Sequence, residues 1–145
     1  MLINIDPLLS PDLLAVLRAM GHRQDLAIVD ANFPCDPAGP RIIRLDGVPA
    51  TDVLAAVLSV LPIEVDEPAG AWRMIADGRP DTMLPIFTEF AQLVVAAAPD
   101  RGVAAVPPAD FKARVAAGFA TVVTGERRLY GSVIVRKGVI PPPQE

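Results

Sequence analysis

With 145 residues, 52% of them apolar and 21% charged, the chain has the length and balance of one globular domain, not of a disordered segment. A net charge of -4 and the lack of Lys/Arg clusters interleaved with aromatics leave no footprint for nucleic acid. One cysteine, Cys35, and one histidine, His22, exclude an internal disulfide, a Cys-rich metal site and every multi-histidine zinc motif.

The opening MLINIDPLLSPD has neither a basic n-region nor an apolar h-region. No window reaches the roughly 18 to 20 apolar residues that a membrane span needs. The expectation is a cytoplasmic protein with no membrane partner. SPDLLAVLRAMG reads as a helix in which Ser10 caps, Pro11 and Asp12 suit the first turn, and Gly21 takes the left-handed C-terminal position. LAIVD, 26 to 30, is a continuous apolar run with β-branched residues, the pattern of a strand buried on both faces, and it leaves Asp30 at its C-terminal end.

After the loop ANFPCDPAGP, RIIRL (41 to 45) reads as a strand and residues 51 to 61 as a helix. IEV (63 to 65) and the segment 71 to 76 read as short strands. The segment Leu84 to Ala98 reads as a helix starting at Pro85, apolar over more than one side, which makes assembly plausible. GVAAV (102 to 106) is the next strand, ADFKARVAAG (109 to 118) the next helix, and FATVVTG and SVIVRKG two closing strands around ERRLYG. Strands alternating with helices predict an α/β domain with a mostly parallel sheet and an antiparallel end. The domain spans 1 to 140, followed by a flexible tail, 141 to 145.

No GxGxxG, GxxxxGK[ST] or GxSxG pattern is present, so dinucleotide, P-loop and serine-elbow chemistry have no support. What remains is a polar set of His22, Asp30, Asn32, Glu126, Tyr130 and Ser132. If the first helix packs back on the sheet, His22 approaches the rim where Asp30 ends its strand. A carboxylate on one imidazole nitrogen fixes the tautomer and leaves the other nitrogen for proton exchange. The plainer readings stand beside this one. His22 suits a helix C-terminus, Asp30 an Asx-turn, and Tyr130 a hairpin turn against the core. Cys35 reads as a small loop residue, Trp72 as a core or interface aromatic, and Arg127-Arg128 as a solvated turn.

The wording of the sequence adds more. IDPLLSPDLLAVLRAMGH, VDANFP and FATVVTGERRLYGSVIVRKGV together resemble the D-ribose pyranase / L-fucose mutarotase family from end to end, nearer the fucose branch. The resemblance implies a three-layer α/β/α fold and a cofactor-free, metal-free isomerase that interconverts the anomers of L-fucose or a related free monosaccharide. It implies His22 as the catalytic acid and Asp30, Tyr130 and Ser132 as substrate-binding residues. It also implies a ring-based homo-oligomer, commonly a decamer, with sites between subunits. Two departures stand out. Pro108 occupies the position where the family offers an arginine or histidine to the sugar, and Ser132 replaces an asparagine; Arg101 or Lys112 are candidates for the missing cation. The alternatives are ribose-type pyranose/furanose exchange and a sugar-binding homologue that has lost turnover.

Overall fold

The computed structural model describes residues 1–144. Six strands and four helices follow one another as α1 (Pro11–Ala19), β1 (Asp25–Val29), β2 (Arg41–Leu45), α2 (Ala50–Leu58), β3 (Ala71–Met74), α3 (Pro85–Ala97), β4 (Ala104–Val106), α4 (Pro108–Ala117), β5 (Ala120–Thr124) and β6 (Val133–Arg136). They form one mixed sheet in the order β2-β5-β1-β6-β3-β4. Three pairings are parallel, and the two made by β6 are antiparallel.

The period-2 alternation of the strands sorts their side chains into two cores. Leu26, Ile28, Val122, Val133 and Val135 face α1, α2 and α3, together with Phe87 and Phe90. Ala27, Val29, Val123, Ile134 and Trp72 face α4 through Phe111 and Val115. Strand β1 is buried at all five positions because both of its faces are covered, as its unbroken apolar run predicts. Truncating a fully buried ring such as Phe87 would cost about 3–5 kcal/mol. Among the described residues, no helix is long and apolar enough to cross a membrane.

Several expectations change. The antiparallel strand is not at the sheet's end but at its centre, between β1 and β3. Only eight residues separate β5 from β6, too few for a crossover to the far end of the sheet, so β6 must return antiparallel. It skips over β1 in doing so, and ERRLYG is a crossing loop rather than a hairpin turn. Residues 63 to 65 form no strand; Ile63 makes a single bridge to Lys137. Helix α3 buries one stripe, Ile86, Phe87, Phe90 and Val94, while Val95 is exposed.

The first helix is capped as read, with the Leu13 N–H donating to Ser10 Oγ. Its end differs. Gly21 is not left-handed; its N–H donates to Gln24 Oε1, and Arg23 takes the positive φ instead. The turn Met20–Gln24 then leads straight into the start of β1.

Candidate functional site

Asp30 follows the last residue of β1 at the C-terminal rim of the sheet and is buried. Ser132, fully buried at the start of β6, donates its hydroxyl proton to Asp30 Oδ2 at 2.7 Å and accepts the Asp30 N–H at 2.9 Å. The other carboxylate oxygen accepts the Asn32 N–H at 2.9 Å, so the Asx-turn read from the sequence is present as well. These bonds fix the carboxylate's plane before any ligand arrives.

Asp30 and Asn32 line an open cavity of about 380 Å³ with Phe33, Met74 and Tyr130. That is within the usual size range of small-molecule pockets, roughly 300–1,000 Å³. Pro108 is the first residue of α4 and lies on the wall; Lys112, one turn later, lines the same wall. Arg101 does not reach it, because its guanidinium donates to the Glu67 carbonyl instead. Of the two candidate cations, Lys112 is at the cavity.

Tyr130 reaches the cavity from a loop under tight control. The Glu126 carboxylate is buried and accepts the N–H groups of Arg127 and Arg128 and the Arg128 guanidinium. Burial alone would raise the Glu126 pKa, but these donors outweigh it and hold the group below its ordinary value of 4.5. Arg128 also pairs with Glu89 on α3, so of the two arginines Arg128 is tied into the fold, while the Arg127 side chain is exposed as a solvated turn would have it. The Glu126 carbonyl accepts the Ala31 N–H at 2.9 Å, tying this loop to the Asp30 segment. Tyr130 has φ 58°, a rare conformation for an aromatic residue. A Cβ on the next residue, Gly131, would lie 2.7 Å from Glu126 Cγ, which explains glycine there.

His22 is elsewhere. It precedes β1, whereas Asp30 follows it, so the strand itself separates them; at about 3.3 Å per residue the two ends are roughly 16 Å apart. The pairing of His22 with Asp30 on one rim does not occur within the chain, since a residue in the turn leading into a strand sits at the strand's N-terminal end. The imidazole's partner is Glu64, at 2.5 Å from Nε2. Glu64 is almost wholly buried, with a side chain only 1% exposed, while that of His22 is 38% exposed. Oε1 of Glu64 accepts the N–H groups of Val65 and Asp66, each at 2.9 Å, and Arg23 Nε approaches Oε2 at 3.4 Å. The Asp66 N–H bond does most to lower the Glu64 pKa; burial opposes it, and the His22 bond adds to the lowering. A carboxylate held below its ordinary pKa therefore orients an accessible imidazole through Nε2, and among the described residues Nδ1 has no hydrogen-bond partner.

Ligand atoms of His22, Glu64 and Asp66 lie within 4.8 Å of one another. The lone pairs of Glu64 that a cation would need are already committed to two backbone N–H groups, His22 and Arg23. Sequence reasoning missed Glu64, since 42 residues separate it from His22; the only signal was an acidic residue in an otherwise apolar IEV. Trp72 is buried on the α4 face, with the guanidinium groups of Arg114 and Arg136 at 4.5 and 4.8 Å from its ring centroid. Cys35 is half-buried and its thiol pKa is pushed up by burial, which disfavours the nucleophilic thiolate.

Comparison with known proteins covers nearly the whole chain. The fucose mutarotase of Danio rerio is 37% identical over 147 residues, spanning 98% of this chain and 96% of its own. That of Homo sapiens is 37% identical over 143 residues, spanning 94% and 93%. The crystal structure of the fucose mutarotase from Streptococcus pneumoniae in complex with L-fucose superposes with a TM-score of 0.87 at 30% identity, covering 97% of this chain and 100% of that one. Residues 3–140 match the RbsD / FucU transport protein family, and with these relatives the chain belongs to that family.

Proposed function

We propose that the protein is a cofactor-free L-fucose mutarotase, interconverting the α and β anomers of the free sugar in the cytoplasm. The observation that carries this reading is the exposed imidazole of His22 held by the buried, ionised Glu64. Mutarotation needs a proton taken from the anomeric hydroxyl and one given to the ring oxygen as the bond from C1 to that oxygen breaks. The aldehyde then turns and recloses on its other face, and both protons return. No electron or atom is gained or lost. Positioned proton transfer of this kind contributes about 10²- to 10⁴-fold. His22 gives and retakes the ring-oxygen proton, a water takes and returns the anomeric hydroxyl proton, Glu64 steadies the imidazolium, and Asp30, Tyr130 and Lys112 hold the sugar hydroxyls. Ser132 acts on the sugar through the Asp30 carboxylate that it orients.

The two halves of this machinery lie at opposite ends of β1, which supports the reading that a site combines His22 of one subunit with the Asp30 cavity of another. A ring-based homodecamer is the assembly proposed. Exposed Val60, Val65, Met83 and Ile140 offer apolar surface for such contacts.

Saturation-transfer NMR on L-fucose, D-ribose, galactose and rhamnose tests the activity. The expected result is faster anomer exchange on fucose that disappears in His22→Ala. Exchange of ribose between pyranose and furanose rings alone would favour the pyranase reading; binding without exchange on any sugar would overturn catalysis. Co-assembling His22→Ala with Asp30→Ala subunits tests the shared site, because mixed interfaces restore one intact pair. A stable monomer with full activity would overturn it.

A further inference from the structure

Asp77 is the second residue of the turn Ala76–Arg79, in which the Arg79 N–H donates to the Ala76 carbonyl at 2.9 Å. Asp77 has φ 52° and Gly78 φ 68°. Left-handed residues at both central positions make the type I′ form, for which Asp-Gly is a preferred pair. The turn is therefore fixed locally by its own sequence. It presents Asp77 to Tyr130, 53 residues away, through two hydrogen bonds. The Asp77 N–H donates to the Tyr130 hydroxyl oxygen at 3.2 Å, and that hydroxyl donates to Asp77 Oδ1 at 3.3 Å. Two non-glycine residues with positive φ thus meet at one hydroxyl, and neither conformation is common.

We propose that Asp77 is a positioning residue that sets the polarity of the Tyr130 hydroxyl, so that it meets the sugar as a hydrogen-bond acceptor. A phenol has one proton and two lone pairs. Here the proton is directed to Asp77 Oδ1 and one lone pair to the Asp77 N–H, leaving the second lone pair for a ligand hydroxyl. The turn accounts for the backbone at Asp77, and asparagine or glycine would serve it as well. The carboxylate's aim at Tyr130 is what the turn alone does not require. The proposal rests on the reading that Tyr130 touches the sugar.

The test compares Asp77→Gly, Asp77→Asn, Tyr130→Phe and the double variant Asp77→Gly/Tyr130→Phe. Each is assayed for KM and kcat on L-fucose. Raman spectroscopy of the tyrosine doublet supplies a second readout, assignable because Tyr130 is the chain's single tyrosine. Glycine preserves the turn and removes only the side-chain acceptor; asparagine preserves turn and acceptor.

The expected result for Asp77→Gly is a rise in KM of about three- to tenfold with kcat nearly unchanged, and an altered doublet. Asp77→Asn keeps both close to wild type. Adding Asp77→Gly to Tyr130→Phe gives no further rise in KM, since the hydroxyl it orients is gone. An unchanged KM in Asp77→Gly, or effects that add in full, would overturn the proposal while leaving the sugar contact of Tyr130 intact. If Tyr130→Phe itself alters neither constant, the contact reading falls and the proposal with it, whatever the doublet shows.

Discussion

The imidazole of His22 is hydrogen-bonded at 2.5 Å to the carboxylate of Glu64, an accessible ring on a buried, ionised base. If this pair carries the proton transfer, Glu64→Gln keeps the shape but removes the charge that stabilises the imidazolium. We expect kcat for anomer exchange to fall by about tenfold or more, within the range of positioned acid/base catalysis. Exchange NMR at saturating sugar checks this, and an unchanged kcat would remove Glu64 from the mechanism.

Acid stability follows from Glu126. Its folded pKa is below the ordinary 4.5, so its stabilising contribution is present above that value and is lost as pH falls through the depressed one. Glu126→Gln should therefore flatten the decline in melting temperature below about pH 4.5. Thermal melts of both proteins across the acid range measure the difference; parallel curves would count against the pair with Arg128.

Ser132→Ala leaves the Asp30 N–H and Oδ2 without their buried partner. The expected loss of stability is about 1–3 kcal/mol, as for other buried groups left unpaired. Denaturant titration measures it. Sugar affinity should weaken too, because the carboxylate loses one of the two contacts that orient it.

Lys112 is the cation at the cavity where Pro108 supplies none. Lys112→Met keeps the aliphatic stem and should raise KM for fucose by roughly three- to tenfold with little change in melting temperature. Steady-state kinetics beside a thermal melt separates the two effects. An unaltered KM would leave sugar recognition to Asp30 and Tyr130.

Local elements were legible in the sequence because local physics makes them. Residues 41 to 45 read as a strand and form one, and Ser10, Pro11 and Pro85 mark helix starts. The order of strands was not legible, since the place of β6 depends on a loop too short to cross the sheet and on which edges remain unpaired. The site was half legible. Asp30 at a strand end followed from its apolar run, but its contact with Ser132 spans 102 residues and that of His22 with Glu64 spans 42. The positive φ of Tyr130 had no signal of its own beyond the glycine that follows it.

The central, antiparallel β6 has a consequence for the order of folding. In the hydrogen-bonded sheet, β2, β5 and β1 form one parallel block and β3 and β4 another, and only β6 joins them. That strand is also the last among the described residues. A growing polypeptide released as far as Thr124 can pair each block within itself but has nothing to zip them together. Closure waits for Val133 to Arg136, so a truncation that deletes residues 133 to 145 would remove the sheet's central seam, not fray its edge.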